Sequence, residues 1–361
     1  MINEKTWKIR ALSDIWTGAA KKDEESFKHT GLLGSLRWWY EVLVRGLGGY
    51  ACDPSGKAGD TQRCPGNTDS AVKKGHHCVV CELFGCTDWA RKFRFEVRSL
   101  TKEKGQSVNK GIQTEQIVNG GLFGLRFIEL RHIEEYEWAL LELTLRLIAR
   151  YGAIGGRTVL KPSDEPTRMD KPHHQDYGLI EVMKSPGSIT ICRAEIENYI
   201  REDRWRKVLN SGKPKHGPFG WASVENMWFV KGRHLTRKKP DISPFNKILG
   251  RDERKYCRDC GSVHDDPREK CGKTERFPHR FSEDVTDHNK IWLAGSQGMS
   301  KKIFSFRNPE RTFGFVLNPA ADFTAIKKEL QAPDVWGPVG WDFTTGDRII
   351  DALFDDERGG A

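Results

Sequence analysis

The sequence predicts two α+β domains. Strand–helix–strand patterns recur in each half of the chain, with no clear sequence repeat between them. The length of 361 residues suits about two domains of roughly 150 residues each. The hydrophobic share is 37%, and adding the 36 glycines brings it close to the ~45–50% of globular chains. A disordered, collagen-like or disulfide-framed chain is excluded on the same grounds.

Thr6 to Ile15 reads as a first strand. Ser35 to Arg45 reads as a helix, with Leu36, Trp39 or Tyr40, Leu43 and Leu47 on a core-facing stripe. Arg37, Glu41 and Arg45 share another face, where the spacing predicts a surface ion-pair ladder. Gly46, Gly48 and Gly49 stop the helix. A Cys-, Gly- and Lys-rich loop runs from Tyr50 to about Cys81. Arg91 to Leu100 then alternates: Phe93, Phe95 and Val97 point one way, and Lys92, Arg94, Glu96 and Arg98 the other. Leu125 to Ile133 is a further strand, and Glu134 to Tyr151 a helix apolar on most sides, ended by Gly152. Residues 175–200 hold strand-like Leu179–Val182 and Ser188–Ile191, followed by a basic helix from Ile196 to Leu209. Residues 210–290 read as irregular. Lys302–Phe306 and Thr312–Leu317, a helix Asp322–Leu330 and an ordered Arg348–Phe354 close the pattern.

The chain carries 59 Lys and Arg against 50 Asp and Glu, a net +9. Residues 201–260 hold 16 of those cations and 7 of the acids, so this segment matches the whole excess. Trp205, Phe219, Trp221, Trp228 and Phe229 are interleaved there. Basic charge neutralises phosphates, and aromatic rings offer bases a stacking face. The opposing reading is a solvated Lys-rich region with ordinary core tryptophans. The most apolar long stretch, residues 137–155, contains Glu137, Glu142, Arg146 and Arg150, which argues against a membrane span. The first residues have no apolar signal-like run, so a reducing cytoplasm is expected. There, nine cysteines suit metal ligands and free thiols better than disulfides.

Cys52, Cys64, Cys78 and Cys81 form the strongest metal pattern. The Cys78-x2-Cys81 knuckle puts two thiolates on one tight turn, and two more from a loop complete a tetrahedral Zn²⁺ site. Four thiolates leave no open position, so the role is structural. His76, His77 and Cys86 compete as ligands. A second set is Cys257, Cys260, Cys271 and His279, with His264 as an alternative. One or two structural zincs are therefore expected. Gly152-Ala153-Ile154-Gly155-Gly156-Arg157-Thr158 could bring backbone close to a phosphate. It has no Walker A lysine, and a helix end running into a strand explains most of it. No Gly-x-Ser-x-Gly or His-Glu-x-x-His motif occurs. His173, His174 and Asp176 offer acid–base groups, although solvated histidines in a polar loop are the commoner answer.

Two stretches go beyond composition. Trp16-Thr17-Gly18 with Leu32-Leu33-Gly34-Ser35-Leu36-Arg37-Trp38-Trp39-Tyr40 is one. Cys81-Glu82-Leu83-Phe84-Gly85-Cys86-Thr87-Asp88-Trp89-Ala90-Arg91-Lys92-Phe93-Arg94-Phe95 is the other. Together they resemble the family of first subunits of the Cmr complex, the type III-B CRISPR effector, within the RAMP superfamily. The resemblance covers residues 6–160 and returns at Lys302–Leu317 and Gly340–Gly346.

The resemblance implies two tandem ferredoxin-like (RRM-like) RAMP domains, to which the charge and cysteine patterns add long basic insertions held by zinc. The expected boundaries are 1–185, with a Cys-rich insertion at 50–81, and 186–361, with a basic Cys/His insertion at 210–290. It implies a cytoplasmic, non-catalytic subunit of a ribonucleoprotein. Its partners would be CRISPR guide RNA, complementary target RNA and other Cmr/RAMP subunits, and it would sit near the guide's 3′ region. Arg37, Arg45, Lys92, Arg94 and Arg157 could form one basic surface. Arg91, Gly155 and Gly156 join the candidate RNA contacts, and Trp38 and Trp89 are the candidate stacking rings. Two alternatives stand beside this reading. One is a metal-independent RAMP-type endoribonuclease using His29, His132 or His174. The other is a zinc-stabilised scaffold that does not touch RNA.

Overall fold

Alternation of apolar and polar side chains builds the first sheet. In this computed structural model the described residues are 3–17, 27–53, 63–64, 77–100, 117–155, 163–169, 171–187, 190–206, 219–236, 243–249, 255–256, 263–264, 288–295 and 300–355. Their elements in chain order begin with β1 (Glu4–Ala11), α1 (His29–Gly46), α2 (Val79–Phe84), β2 (Phe93–Ser99), β3 (Leu122–Glu129), α3 (Glu135–Tyr151), β4 (Ile180–Lys184) and α4 (Arg193–Arg201). They continue with β5 (Met227–Lys231), α5 (Pro244–Ile248), β6 (Lys255–Tyr256), β7 (Val263–His264), α6 (His288–Ala294), β8 (Ile303–Arg307), β9 (Glu310–Phe315), α7 (Pro319–Leu330), β10 (Thr344–Thr345) and α8 (Gly346–Asp355).

The first sheet has the order β2-β3-β1-β4 and the second β10-β5-β9-β8. In each, two strand–helix–strand crossovers interleave antiparallel strands in the ferredoxin-like order, so the α+β prediction holds in both halves. The chain divides into two compact units. One comprises Met1–Thr158, Asp176–Met227 and Thr344–Ala361, and the other Val159–Gln175 and Trp228–Phe343. The expected boundary at 185/186 falls between β4 and α4. No helix among the described residues is long and apolar enough to cross a membrane.

In the first unit, Trp7, Ile9 and Ala11 of β1 and Phe93, Phe95 and Val97 of β2 are buried together with Phe123, Leu125 and Phe127 of β3. Phe127 is the hub: its ring lies 5.0 Å from Phe93, 5.1 Å from Phe95 and 5.3 Å from Trp7. The Phe93 and Trp7 contacts are edge-to-face, a geometry that adds about 0.5–1.5 kcal/mol per pair beyond burial. α1 starts six residues before the predicted Ser35. Its N-cap Lys28 makes no side-chain cap, and instead the distant Thr17 Oγ1 accepts the Lys28 N–H at 2.7 Å. α3 begins as predicted, with the Glu137 carboxylate accepting the Glu134 N–H at 2.8 Å.

Other elements also differ from expectation. The predicted helix 196–209 is α4, which starts at Arg193 and ends at Arg201. Beyond it Arg204 forks onto the Glu134 carboxylate at 2.9 and 2.8 Å, which holds the turn out of helical register. Ile191 lies outside any strand, at the entry to α4. β5 arises inside the stretch read as irregular. Met227, Trp228, Phe229 and Val230 are all buried, so the strand shows no polar alternation to betray it.

In the second unit Trp228 packs with Ile303, Val316, Ile326 and Leu330, and its ring stacks on Phe343 at 5.6 Å. Lys302 enters this core at 2% exposure. Its ammonium lies 4.9 Å from the Trp292 ring centre and donates to the Ser300 carbonyl. Burial pushes its pKa down to about 8. A depressed lysine pKa favours the neutral form in the folded state, so the charged form costs stability in full below about pH 8. Lys302→Met is therefore expected to raise stability in urea denaturation at pH 7. The gain should shrink as pH rises towards the ordinary lysine value of about 10.4. An equal gain at pH 7 and pH 10 would show that the charge is not what costs.

Candidate metal centre and its basic surroundings

Cys52 follows α1, Cys64 lies in the loop beyond it, Cys78 is the N-cap of α2 and Cys81 sits in its first turn. All four are buried, and their sulphurs lie within 4.8 Å of one another. The Cys52 and Cys81 sulphurs are 3.3 Å apart. A tetrahedral ion about 2.3 Å from each thiolate separates the sulphurs by ~3.8 Å, so the group has the size of a four-thiolate site. Two backbone donors already point at the sulphurs: the Cys78 N–H to Cys64 Sγ at 3.2 Å and the Cys81 N–H to Cys78 Sγ at 3.5 Å. Such donors orient thiolate ligands and temper their charge.

The competing ligands fall elsewhere. His77 turns its Nδ1 towards Glu82 at 3.6 Å, and its ring lies 4.6 Å from Trp89. Cys86 is half-buried and outside the four-sulphur group. A hydrogen bond with Cys81 draws the Cys86 thiol below its ordinary pKa. His76 lies outside the described residues. So do Cys257, Cys260, Cys271 and His279 of the second expected set, while only the backbone of His264 is described, in β7.

Arg37 ties α1 to this centre. Its guanidinium donates to Cys81 Sγ at 3.2 Å, to the Gly85 carbonyl at 2.6 Å and to Glu41 at 3.0 Å. Burial works to lower the Arg37 pKa, but the charges of Cys81 and Glu41 outweigh it and raise the value. The predicted Arg37–Glu41–Arg45 ladder exists, with Arg45 to Glu41 at 3.4 Å, but it is not on the surface. Side-chain exposures of 17%, 6% and 1% along the ladder put it in the interior. Arg45 also donates to the carbonyls of Ala222 and Ala51, at 3.1 and 3.5 Å. The segments that follow α1 and precede β5 cover this face of the helix. Burial raises the Glu41 pKa, against the pull of Arg45 and Arg37.

Lys92 also departs from its expected place on the wet strand face. It precedes β2, is 6% exposed, and its ammonium sits 3.0 Å from both oxygens of Glu137 and 3.3 Å from Glu82. Its backbone carbonyl accepts the N–H groups of Leu130 and Arg131, so the alternation of β2 does not reach it. Burial raises the Glu137 pKa against the pull of Lys92. Arg94 does lie on the wet face, at 58% side-chain exposure. Arg91 is half-buried beside Phe93, whose carbonyl accepts its Nε–H at 3.0 Å.

The candidate stacking rings are packed against the protein itself. Trp38 lies edge-on to Trp39 at 4.9 Å, and the Arg131 guanidinium lies 4.6 Å from the Trp89 ring centre. Trp205, Trp228 and Phe229 of the basic segment are core residues, which accounts for their interleaving without any base. Gly155 donates its N–H to Ser35 Oγ at 3.0 Å. It has φ +121°, and a Cβ there would lie 2.7 Å from the Trp16 carbonyl oxygen, so close packing demands glycine. Gly156 and Arg157 lie outside the described residues.

Residues 8–160 match the family model of the RAMP superfamily. A crystal structure of Cmr1 from Pyrococcus furiosus, in its apo form, is similar at 12% identity and a TM-score of 0.36, over 68% of this chain and 71% of that one. No curated protein matches the chain.

Two outcomes follow from these arrangements. Bound metal measured by atomic emission is expected to fall on Cys78→Ser or Cys81→Ser and to persist in Cys86→Ser. Full metal content in the first two variants would dismiss the centre. Lys92→Met leaves Glu137 buried without its cation, and urea denaturation is expected to show a loss of about 3–5 kcal/mol.

Proposed function

We propose that this chain, whose residues 8–160 form a RAMP-superfamily domain, is a Cmr1-type subunit of a type III-B CRISPR effector. It binds guide RNA near its 3′ region and helps capture complementary target RNA in antiviral defence. That family match carries the reading. The two ferredoxin-like sheets and the motifs at 32–40 and 81–95 support it. Base pairing within the RNA supplies specificity, and the protein supplies phosphate contacts that need no sequence information. Other RAMP subunits are the protein partners.

The chain is proposed to bind rather than to cleave. The three nuclease candidates, His29, His132 and His174, lie on different elements. His29 opens α1, His132 is 85% exposed on the loop after β3, and His174 is buried in a turn of the second unit. Zinc is the ion proposed for Cys52, Cys64, Cys78 and Cys81, since four thiolates in a closed site suit a structural Zn²⁺. When bound, it would fasten α2 and its flanking loops to α1, with Arg37 offsetting part of the thiolate charge.

Tagged purification from native cells, with sequencing of the accompanying RNA, tests the reading. Repeat-tagged guides and stoichiometric RAMP partners are expected. A chain recovered alone and free of guides would overturn it.

A further inference from the structure

We propose that the open face of the first sheet is a binding site for the phosphate backbone of single-stranded RNA. This inference rests on the RNA-binding reading above and gives it a surface. Trp7, Ile9 and Ala11 turn one face of the sheet to the core. The other face takes the alternate positions, and the register places them side by side. Arg126 sits between Thr6 and Glu96, Gly124 between Lys8 and Arg98, and Arg10 pairs with Glu181. Lys8 also pairs with Lys184. The face therefore gathers Lys8, Arg10, Arg94, Arg98, Arg126 and Lys184 against Glu4, Glu96 and Glu181.

The arginines share too few carboxylates to be neutralised. Glu96 alone receives Arg94 at 3.1 Å, Arg98 at 2.7 Å and Arg126 at 3.1 Å. Arg126 also reaches Glu4. Three guanidiniums bring about fifteen N–H donors, and two carboxylates accept about eight. Donors are left over, and Arg94 and Arg98 stay 58% and 52% exposed while paired. Between Arg98 and Lys8 lies Gly124, over which the Thr6 and Leu100 side chains close to 3.4 and 3.8 Å of where a Cβ would stand. These outward positions hold no aromatic ring, so the face attracts backbone charge and not bases. The occupant chosen on charge complementarity is a polyanion read without sequence.

The test uses the full chain, with a labelled 30-nucleotide polyuridylate followed by fluorescence anisotropy at several KCl concentrations. Arg94→Glu/Arg98→Glu is expected to weaken binding at least tenfold and to flatten the salt dependence by about 0.7 per lost phosphate contact. Lys8→Glu/Lys184→Glu lies outside the Glu96 cluster and is expected to do the same, so a refolded cluster cannot mimic the result. The charge-matched Lys327→Glu/Lys328→Glu on exposed α7 should bind as wild type. Wild-type affinity in both sheet variants would overturn the site while leaving RNA binding in place. Failure of the wild-type chain to bind RNA at all would overturn both readings. Displacement of the RNA by polyglutamate at equal charge would give the face to an acidic protein instead.

Discussion

The first unit depends on a helix whose second half, from Trp39 to Gly46, has no free side. α1 buries Leu32, Leu36, Trp39, Tyr40 and Leu43 along one stripe and also Glu41, Val42, Val44 and Arg45 around the rest. A helix in that position must neutralise its own charges. The single carboxylate of Glu41 does so for Arg37 and Arg45. Taking one partner from such a trio strands a charge in low dielectric, which costs far more than a surface pair returns. The ladder is therefore a condition for burying α1. With α1 buried, the Cys52 and Cys81 thiols can meet at its flank and Arg37 can reach the sulphur.

The same logic explains the second buried cation. Lys92 joins the start of β2 to the first turn of α3 through Glu137, and to α2 through Glu82. Glu137 serves two partners at once, the ammonium and the backbone of the helix start. α2 has only six residues, but Val79, Val80, Cys81, Leu83 and Phe84 are all buried, and the Phe84 ring lies 5.2 Å from Tyr40 and 5.5 Å from Phe93. Four thiols and this ion-pair network add to that apolar attachment of so short a helix.

Periodicity made much of this fold legible in the sequence. The stripe of α1, the alternation of β2 and the all-round apolar α3 each predict the element that is present. The Cys-x2-Cys knuckle likewise anticipates the four-sulphur group, because two ligands on one turn leave few other arrangements. What escaped was set by distant residues. The start of α1 depends on Thr17, and β5 is hidden because both its faces are buried. Spacing alone also could not distinguish a solvated Arg45 or Lys92 from a buried one. An i, i+4 pattern of opposite charges looks the same in either place. Glu137 and Ala222, which decide the matter, lie 45 and 177 residues away.

The last helix belongs to the first unit. α8 buries Ile349, Ile350 and Leu353, and its Ala352 carbonyl accepts a hydrogen bond from Arg150 across 202 residues of sequence. During synthesis the first ferredoxin-like sheet leaves the ribosome long before the helix that completes its surroundings. The unit must wait, with part of α3 uncovered, while the whole second unit is made. Contacts of such long range slow folding, and an uncovered apolar face invites aggregation meanwhile. The division into units is thus not a division into separable fragments. A shortened chain that stops before residue 344 would lose a piece of its beginning.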